Sequence, residues 1–388
     1  MNLKLGHFKF GIEHEVAFIR PDGQFADYTN TSFEEFETMV ARLPQYEQDY
    51  AQLRIGDAGI KLKRWYVEGF ERFDEAETLI DCPPKGIEIR TTICDSIESV
   101  INQLSDSFHR LRLEAAKDNF TPALISFNPY QHEFVPNPPL NAYEQQRRRS
   151  SPEAETAHIP MLTQGPDLNL SADGLTPAQL IDMGQKLTYY SSFIIPFSYS
   201  SPFYKGELFY QEDCGSGLSA RTFYRTGARP AVMVFVRDEA DFISSVPSLT
   251  QIARVPAEVG RIEFKAFDSC GDFRLYASLC ALLKGLVLDT TLTERSLVPD
   301  ATMHQRSARL GFDDEQIYQG AKTALAAASQ ALKNDSDQKY LHSLGILLER
   351  RYSLAQQMIA AYQTGQSIPH ILMRGYEALD LMPRLQTC

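Results

Sequence analysis

One tryptophan, Trp65, serves the whole chain of 388 residues. Six cysteines, at 82, 94, 214, 270, 280 and 388, include no pair at CxxC spacing, and the nearest two are ten residues apart. That excludes a zinc ribbon and a compact disulfide framework. No stretch approaches the roughly eighteen apolar residues that a membrane helix needs. The opening MNLKLGHFKFGIEHE lacks the apolar segment and small-residue cleavage site of a secretory signal. Positive charge is also short, with 38 Lys and Arg against 50 Asp and Glu, a net charge of −12. A nucleic-acid partner, which needs a basic surface, is excluded on that ground. The expectation is a reduced, cytoplasmic protein that works on small molecules, with neither nucleic acid nor membrane as partner. Signature motifs are missing too: no GxxxxGK[ST], no HExxH and no GxSxG. GSGLSA at 215–220 matches GxGxxA only loosely and reads as part of a loop.

Helices and strands are legible. Apolar residues at helical spacing predict a helix over Ser96–Lys117. Thr176 at the cap and Pro177 in the first turn start another, ending at Ile195 before Pro196. Phe273–Leu288 is apolar on most sides and should be buried. Beyond residue 300, Asp313–Leu332, Asp337–Tyr362 and Ser367–Leu381 read as helices. Asn128–Asn141, Glu144–Glu155 and Gln211–Ala220 read as loops. The resulting division is a catalytic domain over 1–298 and a C-terminal helical subdomain over 299–388. The subdomain's stripe Leu341, Leu344, Leu347 and Leu348 reads as packing or as a homodimer contact.

The strands carry the chemistry. Side chains alternate along a strand, so Phe10, Ile12, His14, Val16 and Phe18 take one face and Glu13 and Glu15 the other. Ile87 and Ile89 likewise oppose Glu88 and Arg90, Leu168 and Leu170 oppose Asp167 and Asn169, and Ile262 and Phe264 oppose Glu263 and Lys265. Each strand has one apolar face, suited to packing under helices, and one charged face. His14 falls on the apolar face and reads as a core histidine. This predicts an α+β fold, a mainly antiparallel sheet with helices on one face and a polar active-site face on the other. Glutamate is a poor strand former, and like charges two residues apart repel. Several strands presenting Glu, Asp and Asn together make an oxygen-rich site for Mg²⁺ or Mn²⁺. Arg90, Arg221, Arg225, Arg229 and Lys265 would suit a polyphosphate held against that metal. Carboxylates, a hard cation and arginines are what phosphoryl transfer requires.

Six collinear segments resemble one family. FGIEHEVAF resembles the opening GxExE strand of the glutamate–cysteine ligase and carboxylate–amine ligase family, whose catalytic fold is glutamine synthetase-like. GIEIRTT at 86–92, SFNPYQ at 126–131, IPFSYSSPFYKG at 195–206, SARTFYRTGARP at 219–230 and RIEFKAFD at 261–268 resemble later segments of it, in order. The resemblance implies Glu13, Glu15, Glu88 and Glu263 as ligands for Mg²⁺ (or Mn²⁺), two or three ions in the family. It implies Arg221 and Arg225 as contacts to ATP phosphates or to the phosphorylated intermediate, and Lys265 where the family has arginine. The implied reaction uses ATP to convert a glutamate-like side-chain carboxylate into an acyl phosphate of the γ-glutamyl phosphate type. An amine such as cysteine then displaces phosphate, a step of glutathione biosynthesis. Where the family carries a histidine pair, this chain has Asp167 and Asn169, whose oxygens can still bind Mg²⁺. That departure leaves two alternatives beside the glutamate–cysteine ligase reading: a ligase for another carboxylate and amine, and a non-catalytic relative that binds ATP or an amino acid. A metal-dependent hydrolase, which would turn over without ATP, is a third.

Overall fold

The computed structural model describes residues 7–56, 60–211 and 215–377. Its centre is an eight-stranded sheet. In chain order the strands are β1 (Phe8–Ile19), β2 (Trp65–Gly69), β3 (Pro84–Arg90), β4 (Thr121–Ala123), β5 (Pro166–Ala172), β6 (Val232–Val236), β7 (Thr250–Ile252) and β8 (Ile262–Phe264). Their spatial order is β7-β6-β8-β5-β1-β3-β2, with β4 paired to the far end of β1. The pairs are antiparallel except β6 with β7. The expected α+β sheet is therefore present, with one parallel edge.

Burial along β1 alternates from Phe8 to Glu15, as its sequence alternates. Ile12 and Val16 are sealed under helices, and His14 bonds the hydroxyls of Tyr276 (2.9 Å) and Tyr376 (3.0 Å), a satisfied core histidine. The helices follow as α1 (Phe33–Arg42), α2 (Ile97–Lys117), α3 (Ala142–Arg148), α4 (Pro177–Ile194), α5 (Ala220–Arg225), α6 (Phe273–Leu288), α7 (Ala301–Leu310), α8 (Glu315–Ala331), α9 (Leu341–Glu349), α10 (Leu354–Gln363) and α11 (Ile368–Arg374). Ser96 caps α2 in a reciprocal box with Ser99, and Thr176 caps α4 in one with Gln179. The stripe Ile97, Val100, Ile101, Leu104, Phe108 and Leu111 is buried, each large side chain contributing about 1.5–3 kcal/mol. α6 is buried along nearly its whole length. Gly285 lets it approach α8 closely, because a Cβ there would strike Ala328. One hydrophobic cluster runs from β1 through α2 and α6 to Phe312, Leu332, Leu344 and Leu348, so the helices after 299 share the sheet's core.

Several boundaries differ from expectation. The helix expected over 337–362 is two, α9 and α10. Arg351 between them takes a left-handed φ of 48°, and Ser353 with Gln356 forms a fresh capping box. The polar stretch 144–155, expected as loop, holds most of α3 and a helical turn at Pro152–Glu155, each with its own N-cap, Asn141 and Ser151. α7 was not anticipated, although Asp300 caps it. Of the expected loop 211–220, residues 212–214 lie outside the described residues, as does the end of the helix expected over 367–381. Among the described residues no helix is long and apolar enough to cross a membrane.

Candidate functional site

Antiparallel pairing turns the sequence alternation into a two-dimensional array on the sheet's polar face. Glu263 lies opposite Asn169, Asp167 opposite Glu13, Glu15 opposite Glu88, and Glu88 opposite Tyr66. Two carboxylate clusters result. In one, oxygens of Glu13, Asp167 and Glu263 all lie within 4.8 Å of one another, and in the other those of Glu15, Glu68 and Glu88 do so. Both open into a cavity of about 1070 Å³.

Glu68 was missed in the sequence. In the sequence Trp65 with Tyr66, Phe70 and Phe73 reads as aromatic packing, yet Trp65–Gly69 alternates as a strand should. Trp65 and Val67 turn inward, Trp65 donating to the Ser107 carbonyl at 3.0 Å, while Tyr66 and Glu68 line the cavity. Arg261 was also missed. It touches Glu263 at 2.8 Å and Glu13 at 3.5 Å.

The electrostatics of the two clusters differ. Burial alone would raise the Glu263 carboxyl, but Arg261 and Lys265 hold it down at about 2. Lys265 sits between Glu263, at 2.6 Å, and Asp167, and these carboxylates with Glu13 raise its pKa against burial. Asp167 is pushed up to about 6, by burial first, with Lys265 opposing and Glu263 and Glu13 adding. In the other cluster Lys85 donates to Glu15 at 2.6 Å, and the Gly165 amide donates to the other Glu15 oxygen at 2.7 Å. Burial pushes Glu68 up to about 7. Glu88 is also raised well above the ordinary carboxyl range, by burial and then by Glu13, Glu68 and Glu15. Glu88 is only 5% exposed, and its Oε1 is buried with no hydrogen-bond partner among the described residues. A divalent cation fits this second cluster: three oxygen donors, excess negative charge and an unsatisfied oxygen are what a hard metal needs.

Cations enter the same cavity from α5. Arg221 donates to the carbonyls of Lys265 (2.9 Å) and Ala266 (3.2 Å) and lies 3.9 Å from buried Asp268. Asp268 in turn accepts from Ser201 and Ser219 hydroxyls and the Ser200 amide. Arg225 is 7% exposed, and its guanidinium makes no hydrogen bond to the described residues. Burial, then Arg221 and Arg229, push its pKa well down. Buried cations side by side, one of them without a hydrogen-bond partner among the described residues, have the chemistry to receive an anion. The loop after Arg225 is held from α7. His304 bonds Thr226 Oγ1 at 3.0 Å and Ser191 Oγ at 2.7 Å, and the Ala308 carbonyl accepts from the amides of Leu218 and Ser219. Arg229 also lines the cavity, with one N–H on the Glu153 carbonyl at 2.7 Å. Arg90, expected among the phosphate contacts, lines the cavity, and its N–H groups donate to the carbonyls of Lys63 (2.9 Å), Arg54 (3.1 Å) and Lys61.

Gly165 makes both halves compatible, because a Cβ there would run into the Arg221 guanidinium. Gly165→Ala is expected to displace Arg221 and weaken binding of inorganic pyrophosphate at least tenfold with little loss of melting temperature, read by calorimetric titration.

A further wall comes from α3. Glu144, almost wholly buried, accepts from Arg72 at 2.7 and 3.2 Å and from the Phe73 and Asn141 amides, and Arg147 and Arg148 of the same helix line the cavity. Burial favours the neutral acid, but Arg72 and the amides hold Glu144 at about 2, below its usual 4.5. A depressed carboxyl stabilises the fold fully above the unfolded pKa, and that contribution is lost as pH falls from about 4.5 towards 2. Glu144→Gln is expected to cost about 3 kcal/mol at pH 7 and to flatten the acid dependence of stability in that window, measured by urea unfolding.

No protein-family model matches the sequence, and no curated protein matches it. Solved structures do. The chain is similar to a bifunctional glutathione synthetase from Pasteurella multocida (TM-score 0.58, 10% identity, 96% of this chain and 52% of that one). It is similar to the glutamate–cysteine ligase of Francisella tularensis in complex with AMP (0.54, 12%, 99% and 91%). It is also similar to PafA, the ligase of the prokaryotic ubiquitin-like protein Pup, in complex with Pup (0.52, 12%, 98% and 78%). The fold is that of the carboxylate–amine ligases. The chain spans about half the length of the glutathione synthetase. The collinear segments that suggested this fold converge in space. Ser126, Ser200, Ser201, Ser219 and Asp268, one or two from each of four segments, form the buried network behind Arg221.

Proposed function

We propose that the chain is an ATP- and divalent-metal-dependent carboxylate–amine ligase. One observation carries this reading: a single cavity joins clustered carboxylates on a sheet face to the buried guanidiniums of Arg221 and Arg225. Glu15, Glu68 and Glu88 would hold Mg²⁺ or Mn²⁺, which when bound would neutralise phosphate oxygens of ATP. Arg225, without a hydrogen-bond partner among the described residues, would take the transferred phosphoryl group, and Arg221, fixed by two carbonyls, would orient it. Arg229 would contribute field more than contact, since it is partly engaged. Glu13, Asp167, Asn169 and Glu263 would shape the other end of the phosphate path around Lys265. In the reaction a substrate carboxylate attacks the γ-phosphorus and ADP leaves. An amine then attacks the acyl carbon and phosphate leaves. The finer reading is formation of γ-glutamylcysteine from glutamate and cysteine, with other acid and amine pairs as the alternative that Asp167 and Asn169 favour. A second reading, a non-catalytic binder of ATP, is favoured by Lys265 lying on two of the carboxylates.

The test is ADP release from purified protein with ATP and Mg²⁺ across amino acids supplied singly and in pairs. Release that needs both an acidic amino acid and an amine is expected, and the best pair names the substrates. ATP binding without release under any pair would favour the second reading. Release of phosphate or another product without ATP would sink both.

A further inference from the structure

The two acidic clusters are not equivalent as cation sites. Around Glu13, Asp167 and Glu263, three carboxylates meet two side-chain cations. Lys265 Nζ donates to Glu263 Oε1 at 2.6 Å and to Asp167 Oδ2, while Arg261 lies 2.8 Å from Glu263 Oε2 and 3.5 Å from Glu13 Oε1. Around Glu15, Glu68 and Glu88 one close ion pair forms among the described residues, Lys85 on Glu15, while Arg54 acts on Glu68 and Glu88 without an ion pair to them, and Glu88 Oε1, in a side chain 5% exposed, has no partner among those residues.

We infer that Lys265 is a resident cation, standing in for a metal at the Glu13–Asp167–Glu263 cluster, so that a divalent ion binds at Glu15–Glu68–Glu88 alone. The inference rests on the metal part of the proposed function, though not on ligase turnover. Magnesium needs near-octahedral oxygens at about 2.0–2.1 Å and gives up water reluctantly. To enter the first cluster it would have to expel a tethered ammonium already bonded to two of the three carboxylates, and then sit beside Arg261 as a like charge. Asn169, the neighbour of Glu263 in register, adds a buried carbonyl oxygen without a partner. One neutral oxygen does not replace two carboxylates held by lysine. A phosphate arriving at this end of the cavity would therefore meet a protein ammonium rather than a hydrated metal ion.

The experiment is a Mn²⁺ titration of nucleotide-free protein at pH 7.5, with free Mn²⁺ read by electron paramagnetic resonance and folding checked by circular dichroism. One Mn²⁺ per native chain is expected. Glu88→Gln should weaken it at least tenfold, Lys265→Gln should open a second site, and Lys265→Arg, which keeps the charge, should leave one. Two comparable sites in the native chain would overturn the inference, as would a Lys265→Gln protein that still binds one. If Lys265→Gln does not fold, the native count and the arginine variant still decide. No binding to the native chain would overturn it by removing the Glu15–Glu68–Glu88 site. Absence of ADP release beside a single Mn²⁺ site would fail the ligase reading and leave this one standing.

Discussion

Replacing Arg225 by methionine is expected to make the protein more stable and nearly inactive. Arg225 is 7% exposed, its guanidinium has no hydrogen-bond partner among the described residues, and Arg221 and Arg229 repel its charge more than Asp167 and Glu15 attract it, so that charge is a folding liability. A methionine of similar length removes that liability and is expected to raise stability by on the order of 1 kcal/mol. The same change removes the anion contact, and loss of an arginine that stabilises a transferred phosphoryl group costs about 10³-fold in turnover. Thermal melts and ADP-release rates on one preparation check both halves. A variant that loses stability along with activity would mean that Arg225 holds the fold rather than the substrate.

Glu263 should behave in the opposite way. It is 3% exposed, and its two oxygens hold Lys265 and Arg261. Glu263→Gln removes the closest partner of Arg261 and one of the two carboxylates that Lys265 touches, leaving the cations to Glu13 and Asp167. Breaking a buried pair from one side costs about 3–5 kcal/mol. The sign with pH follows from its position at about 2, below the ordinary 4.5. In the native protein this contribution is complete above about pH 4.5 and disappears towards pH 2, so the native and variant proteins should converge in stability there. Denaturant unfolding at pH 7 and pH 3 measures the gap, and ADP release should fall below detection at pH 7. An equal gap at both pH values would mean that the carboxylate charge is not what holds the two cations.

How much of this was legible in the sequence depended on range. Period-two alternation is local, so β1, β3, β5 and β8 and the side on which Glu13, Glu15, Glu88, Asp167, Asn169 and Glu263 project could be read directly. Register is not local. That Glu15 faces Glu88, or that Asp167 lies beside Glu13, depends on which strands become neighbours. Glu68 went unread because its strand is five residues long and opens with two aromatics, which look like packing before they look like alternation. Arg90 sits on the correct face, yet a long side chain at a strand end can turn to a nearby loop, and no spacing rule shows that three carbonyls wait there. Arg221 and Arg225 were suggested by resemblance. That one is anchored and the other unpaired is a property of packing. The break at Arg351 escaped notice because the apolar pattern continues across it.

The hold of α7 on the arginine loop has a thermodynamic corollary. Thr226 directly follows Arg225, and His304, through its two hydroxyl partners, ties it to α4. Any anion that steadies Arg225 must then also steady α7, and by reciprocity anything that quiets α7 must tighten the anion's grip. Occupancy of the proposed phosphate pocket would thus be written into the helical third of the chain. It is readable there as slower amide exchange in a segment that touches no substrate.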